Sequence, residues 1–242
     1  MQLIDFQKGF NYSQDGPGNR LVYHLCGCNL RCPWCANPEG MSLDSLAAKR
    51  EPTAAIEKAI LSAMPMYFDG GGVTFTGGEP TLQLDVLAPL CHALQAQGVH
   101  VCIETNATSP CFAQVLDMTN VLIADLKHPD SELHRRWTGL GNETILKNLR
   151  MAAKTELPLQ LRVPFIHGVN DDDKALEGFV SFFTEINRPG VTVEVLPYHE
   201  YGKDKWKNLG KPYDMTDGFV TRQQVEKFET ACAIAGVHVV RT

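Results

Sequence analysis

The chain has 242 residues, 44% of them hydrophobic and 21% charged, which suits one fairly large packed domain and excludes a disordered chain. Its 22 basic and 28 acidic side chains give a net charge of −6, which argues against a general nucleic-acid or anionic-membrane binder, since either needs a basic face. No run approaches the roughly 18 to 20 apolar residues that span a bilayer.

Met1 to Arg20 ends in a turn signal, Asp15-Gly16-Pro17-Gly18, before a strand-like run at Leu21 to Leu25 and a cysteine loop. Pro52 to Met64 reads as a helix, Val73 to Thr76 as a strand, and Leu84 to Gln97 as a helix closed by Gly98. Strand Val99 to Ile103, helix Cys111 to Met118 and strand Val121 to Ala124 follow, then helices at Ser131 to Trp137 and Glu143 to Lys154. Strand Leu159 to Pro164, helix Lys174 to Ile186, strand Val191 to Leu196, helix Gln223 to Ala235 and strand Val237 to Val240 complete the chain. This alternation predicts an α/β fold with a parallel sheet, closed or partly closed, in a single domain over residues 1–242. Active residues are then expected at the C-terminal strand ends or in the loops after them.

Met1 to Phe10 carries acidic and polar residues where a secretory leader has its apolar stretch, so a cytoplasmic protein is expected. In that reducing compartment eight cysteines are thiols or metal ligands rather than disulfides. Three of them, Cys28, Cys32 and Cys35, are spaced so that one loop can wrap a small inorganic cluster. Soft sulfur donors favour iron–sulfur or zinc. A [4Fe–4S] cluster usually takes four cysteines, and three would leave one iron open to a small ligand. A zinc site would need a fourth ligand, for which Cys26 is the nearest candidate, and an electron carrier of the ferredoxin kind is a further alternative. Cys91, Cys102, Cys111 and Cys232 stand singly among apolar residues and read as core.

Gly77-Gly78-Glu79-Pro80 follows a predicted strand; by itself it is a turn with an acid. Glu104 and Asp125 end two further strands and could share a cation at one mouth, with Lys127 placed to neutralise a carboxylate. Read singly, an acid at a strand end is more often a cap or a turn residue.

Cys28-x3-Cys32-x2-Cys35, with Trp34 before the last cysteine, resembles the signature of the radical SAM superfamily. That resemblance implies a partly open (β/α)6-type barrel. It also implies S-adenosylmethionine chelated to the open iron, and cleavage of its sulfonium bond by one electron to yield a 5′-deoxyadenosyl radical. Trp34, Gly77, Gly78 and Glu79 would then be cofactor-binding, the last three resembling the GGE motif that holds the methionyl ammonium.

Asp15-Gly-Pro-Gly-Asn-Arg20, Thr76-Gly-Gly-Glu-Pro, Asp125-Leu-Lys127 and Leu196 to Trp206 are similar, in the same order, to segments of the glycyl-radical-enzyme activases, pyruvate formate-lyase activases among them. The likeness runs nearly end to end, and Leu196 to Trp206, otherwise a polar aromatic surface loop, is its most specific part. It implies that Glu104 and Asp125 bind a monovalent cation, that Lys127 contacts the cofactor carboxylate, and that His199 lies near the nucleoside. Asp15 and Arg162 would face the glycine loop of a partner glycyl radical enzyme. It implies anaerobic metabolism, a flavodoxin or ferredoxin as electron donor, and a monomer. Glu104 stands where pyruvate formate-lyase activases carry aspartate, Asn106-Ala107 replaces Asn-Gly, and Cys35-Ala-Asn-Pro-Glu39 resembles other activases. The 17 residues from Ala36 to Pro52 leave no room for a ferredoxin-like insert. The alternative within the same cofactor chemistry is an enzyme acting on a small molecule, as deazaguanine-forming members do.

Overall fold

The computed structural model describes residues 1–242, in two compact units. The first comprises Met1–Asn29, Asn37–Thr105 and Ser109–Ile123; the second comprises Leu30–Ala36, Asn106–Thr108 and Ala124–Thr242.

The first unit carries β1 (Gln2–Tyr12), β2 (Asn19–Leu25), β3 (Lys49–Pro52), β4 (Gly72–Gly77) and β5 (Val101–Thr105), with α1 (Thr53–Ser62), α2 (Leu84–Ala96) and α3 (Phe112–Asp117). The strand order is β3-β1-β2-β4-β5. β2, β4 and β5 run parallel, as the alternation predicts, but β1 is antiparallel to both β2 and β3, so the sheet is mixed. β1 and β3 escape sequence reading for a physical reason. A bulge between Asp5 and Gln7 breaks the two-residue period of β1, and β3 is four polar or proline-bearing residues long. Leu3, Leu25, Ile56, Ile60, Leu87 and Phe75 are buried between the sheet and its helices.

β6 (Val121–Asp125) runs from the first unit into the second. The second unit holds α4 (Ser131–Thr138), α5 (Glu143–Ala153), β7 (Leu159–Phe165), α6 (Asp173–Glu185), β8 (Val191–Pro197), α7 (Lys203–Asn208), α8 (Arg222–Ile234) and β9 (Val239–Val240). β7, β8 and β9 are parallel neighbours. Asp130, Asp172 and Thr221 accept backbone N–H groups at the starts of α4, α6 and α8, which is why those helices begin where the sequence predicts. Phe165, Phe179, Phe183 and Phe228 form the aromatic core, with ring centroids 5.2 to 5.8 Å apart.

Two strands start later than predicted. Gly98 and Val99 donate back to Gln95 and Leu94 at the end of α2, and Val237 donates to Cys232, so those residues close helices instead of opening strands. Neither strand series closes on itself: β3 ends the first and β9 the second. No helix is long and apolar enough to cross a membrane.

Candidate active site

The cysteine loop leaves the C-terminal end of β2 through a seam of backbone hydrogen bonds. On one side Gly27 N–H donates to Gly40 O at 2.8 Å and Cys28 N–H to Met41 O at 3.0 Å. On the other side Gly78 N–H donates to Leu25 O at 2.8 Å and Glu79 N–H to Gly27 O at 2.6 Å. The glycines at the end of β4 are therefore stitched to the residues immediately before Cys28. Gly77 has φ +114, and a Cβ on Gly78 would stand 2.1 Å from Gly27 O and 2.8 Å from Gly40 O. Only glycine allows the two loops to approach this closely.

Glu79 is fully buried. Its Oε1 accepts from Thr81 N at 3.1 Å, Thr81 Oγ1 at 2.5 Å and Thr105 Oγ1 at 2.7 Å, which fixes the carboxylate plane. Gln83 ties the underside: it exchanges bonds with both backbone groups of Ile4 and donates to Cys26 O at 2.9 Å. Sequence reading missed Thr81, Thr105 and Gln83, whose partners lie up to 79 positions away. Glu104 is half-buried beside Thr105, so on the alternating strand it faces the opposite side of β5.

In the second unit, Cys32 is buried and Cys35 half-buried. Arg31 N–H donates to Thr138 O at 2.8 Å, and Trp34 meets the Trp137 ring at 6.3 Å, so the end of α4 is the platform of this half of the loop. Trp206 Nε1 donates to Cys35 O at 2.9 Å, and a Cβ on Gly202 would stand 2.3 Å from that same oxygen. The Leu196 to Trp206 segment is thus packed on the last cysteine, with α7 where the sequence suggests only a loop. His199 stacks on Tyr201 at 4.0 Å, and burial holds its imidazole below the ordinary histidine range, hence neutral at pH 7.

Asp125 ends β6, and Lys127, nine-tenths buried, ion-pairs with it, the neutralisation the spacing suggests. Arg162 stands in the middle of β7 instead of at its end; its Nε donates to the buried Glu194 at 2.8 Å. Glu194 also accepts from Gln160 at 2.7 Å and from the Thr242 amide at 3.0 Å. Asp15 departs further from the strand-end expectation: its turn lies before β2, at the end opposite the cysteine loop. There Arg20, completely buried, donates to Thr74 Oγ1, which donates to Asp15 O at 2.6 Å, while Asn11 Nδ2 donates to the Asp15 carboxylate.

The cysteines divide by environment. Cys26, Cys91, Cys102 and Cys232 are buried, and burial raises the thiol of Cys26 to about 11, which keeps the free thiol protonated. Cys111, expected in the core, is exposed ahead of α3. Of the three cysteines of the loop, Cys28 and Cys35 are half-exposed and Cys32 is buried.

A family model of the radical SAM superfamily matches residues 22–180. The pyruvate formate-lyase-activating enzyme of Staphylococcus epidermidis is 37% identical over 213 residues, covering 83% of each chain. The chain belongs to the radical SAM superfamily. A solved domain of a pyruvate formate-lyase-activating enzyme from Bacteroides vulgatus superposes at TM-score 0.59 with 29% identity, over 71% of this chain and 98% of that one. QueE from Escherichia coli, at 16% identity, shares the fold over 99% of this chain and 93% of its own at TM-score 0.60. As a radical SAM enzyme the chain uses a [4Fe–4S] cluster and S-adenosylmethionine. The residues present fit both groups: three free thiols, Cys32 buried and Cys28 and Cys35 half-exposed, on one loop, and glycine backbone bonded to Leu25 and Gly27 that no side chain could replace.

Proposed function

We propose that this radical SAM enzyme is an activase that installs a radical on a glycine of a partner glycyl radical enzyme. The observation that carries the reading is the seating of the Leu196 to Trp206 segment on Cys35 through Gly202 and Trp206. That segment carries the likeness to activases, and it is built into the cysteine loop. The names of the relatives, activating enzymes of pyruvate formate-lyase, support the same partner class.

In this reading Cys28, Cys32 and Cys35 hold the cluster, whose bound form supplies the electron that cleaves S-adenosylmethionine. Trp34 packs the loop against Trp137. Gly77, Gly78 and the oriented Glu79 carboxylate receive the cofactor ammonium, which a buried acceptor and bare backbone suit. Lys127 meets the cofactor carboxylate, and the neutral, stacked His199 lies against the nucleoside. Glu104 and Asp125 take a monovalent cation; activity that depends on the alkali salt supports this, and equal rates in sodium, potassium and choline buffers reject it. Arg162, aligned by Glu194, and Asp15 contact the partner. The two units act as one radical SAM domain, which the family match spanning both supports. The enzyme is a cytoplasmic monomer reduced by a flavodoxin or ferredoxin.

The test is electron paramagnetic resonance. Reduced, cluster-loaded enzyme with S-adenosylmethionine should give a doublet on a full-length pyruvate formate-lyase or another glycyl radical enzyme. No doublet with any such partner, together with turnover of a small molecule, would replace this reading with the small-molecule one.

A further inference from the structure

The turn that carries Asp15 rests on one buried cation. Arg20, on β2, is fully buried, and its hydrogen bonds reach three segments: the turn, the start of β4 and the residue before β5. Its Nε donates to Thr74 Oγ1 at 2.7 Å, and that hydroxyl donates to Asp15 O at 2.6 Å. Its Nη1 donates to Pro17 O at 3.0 Å and to Gly70 O at 3.4 Å. Its Nη2 donates to Val73 O at 2.6 Å and to His100 O at 3.1 Å. The turn also lies directly on the Arg20 side chain. A Cβ on Gly16 would stand 3.1 Å from Arg20 Cδ and 3.2 Å from its Nε.

The remaining contact of Arg20 is to a group that titrates. Nη2 lies 3.3 Å from Nδ1 of His100, which is half-buried just ahead of β5. A guanidinium can only donate, so Nδ1 is the acceptor and the neutral ring carries its proton on Nε2. Protonation of Nδ1 would remove that acceptor and set a second cation against the first. The charge that bears on the imidazole is that of Arg20; those that bear on Arg20 are Cys102 from β5, Tyr67 from the segment before β4, and Asp15 from the turn. Burial, and after it the Arg20 charge, hold the imidazole below the ordinary histidine range, so it is neutral at pH 7.

We infer that His100 is a positioning residue for the activation step: through Arg20 and Thr74 it keeps the Asp15 turn in place while neutral and releases it when protonated. A protonated ring repels the guanidinium, and Pro17 O and Thr74 Oγ1 lose their donor as Arg20 withdraws. The folded ring takes its proton only below the ordinary histidine value of about 6.5, so the turn is held above that pH and loosens as pH falls further. The cysteine loop, at the other end of β2, is left as it was. The link from His100 to the turn stands on these contacts alone. Its effect on a partner rests on the activase reading, in which Asp15 meets that partner.

The test compares the parent with His100→Asn, whose side-chain oxygen accepts as Nδ1 does but does not titrate in this range. Amide exchange of Ser13, whose N–H donates to Gly18 O at 2.9 Å across the turn, reads the clamp on cluster-loaded enzyme. The glycyl radical doublet on full-length pyruvate formate-lyase, divided by 5′-deoxyadenosine formed without a partner, reads the activation step. Near pH 7.5 the two proteins should match in both. Near pH 5 the parent Ser13 amide should exchange about tenfold faster than the variant's, and its doublet ratio should fall about tenfold below the variant's, the scale of losing a hydrogen bond from a charged donor. His100→Gln, a longer acceptor that does not titrate either, takes the place of the asparagine if that variant fails to fold. Equal exchange in parent and variant at both pH values overturns the inference. Faster parent exchange in acid with matching doublet ratios confines His100 to the turn and overturns its role in activation. No doublet from either protein at either pH defeats the activase reading itself, and Ser13 exchange still accepts or rejects the clamp.

Discussion

The indole Nε1 of Trp206 donates to the main-chain oxygen of Cys35 across 2.9 Å of space and 171 positions of sequence. The bond fixes the carbonyl of a half-exposed cysteine whose side chain must be free to bind iron. Trp206→Phe keeps most of the half-buried ring and loses the donor. It should cost about 1 kcal/mol of stability and accelerate iron loss to a chelator several-fold. Iron and sulfide content after timed chelation measures this; retention equal to the parent would show that the bond does not guard the loop.

Gly78→Ala tests the seam between the two loops. Its Cβ would collide with backbone oxygens of Gly27 and Gly40, and no side chain can swing aside to make room. A loss above about 2 kcal/mol is expected, with S-adenosylmethionine binding abolished. Gly168→Ala, at φ +72 with nothing within 4 Å, should cost only about 1 to 2 kcal/mol of backbone strain and leave binding intact. Thermal denaturation and isothermal titration separate the two.

Thr105→Val removes one of three donors to the buried Glu79 oxygen while preserving shape. Losing a hydrogen bond to a charged group costs about 1.5 to 3 kcal/mol, so cofactor affinity should fall about tenfold or more as the carboxylate loosens. An unchanged dissociation constant would mean that the Thr105 bond does not orient Glu79.

Ala107 adopts φ +57, in the left-handed region that favours glycine, the residue that the resemblance to pyruvate formate-lyase activases implies here. The left-handed conformation costs alanine about 1 to 2 kcal/mol. Against this, glycine would lose a buried methyl, about 0.8 kcal/mol, and gain unfolded-state freedom of about 0.4 to 1 kcal/mol. The terms nearly cancel, so Ala107→Gly should change stability by less than about 0.5 kcal/mol. Ala107→Val, β-branched in the same conformation, should destabilise by more than about 2 kcal/mol. Denaturant melts of both variants check the balance.

His134, on the α4 platform, is fully buried, and burial lowers its imidazole to about 4. Nδ1 lies 2.6 Å from Leu140 O, the contact of a neutral ring donating to a carbonyl. Between pH 6.5 and 4 the unfolded chain binds a proton that the folded chain refuses, so stability falls as pH drops through that window. The loss from this group is at most roughly 3 kcal/mol, complete near pH 4. His134→Gln should be less stable at pH 7 yet show a flatter pH dependence between 6.5 and 4; an unchanged slope would reject the assignment.

The β-α units were legible because their strands, β2 and β4 to β8, are short apolar runs and because α4, α6 and α8 start at capping residues. The cysteine triplet and the glycine-glycine-glutamate turn were legible because their chemistry is local in sequence. What stayed hidden depends on distant partners. Nothing near Thr105 announces that its hydroxyl reaches Glu79, and nothing near Trp206 points to Cys35. The turn at Asp15 was legible ahead of β2, but not that it links β2 to an antiparallel β1, whose bulge hides the strand period. Cys111 read as core because apolar neighbours do not reveal the helix start that leaves it outside.

The bonds from Gly27 and Cys28 to Gly40 and Met41 also fix where the chain can accept foreign sequence. Upstream of Met41 every added residue would pull one of those carbonyls away from the cysteine loop. Immediately downstream, Ser42 to Asp44 and Leu46 are exposed and bonded only among near neighbours. Leu43 still packs on Gly27, so a graft spliced after it, into the short arc from Asp44 to Leu46, would hang from the surface without touching the seam. The arc is a natural port through which an activase could acquire an electron-relay module while leaving its reactive loop intact.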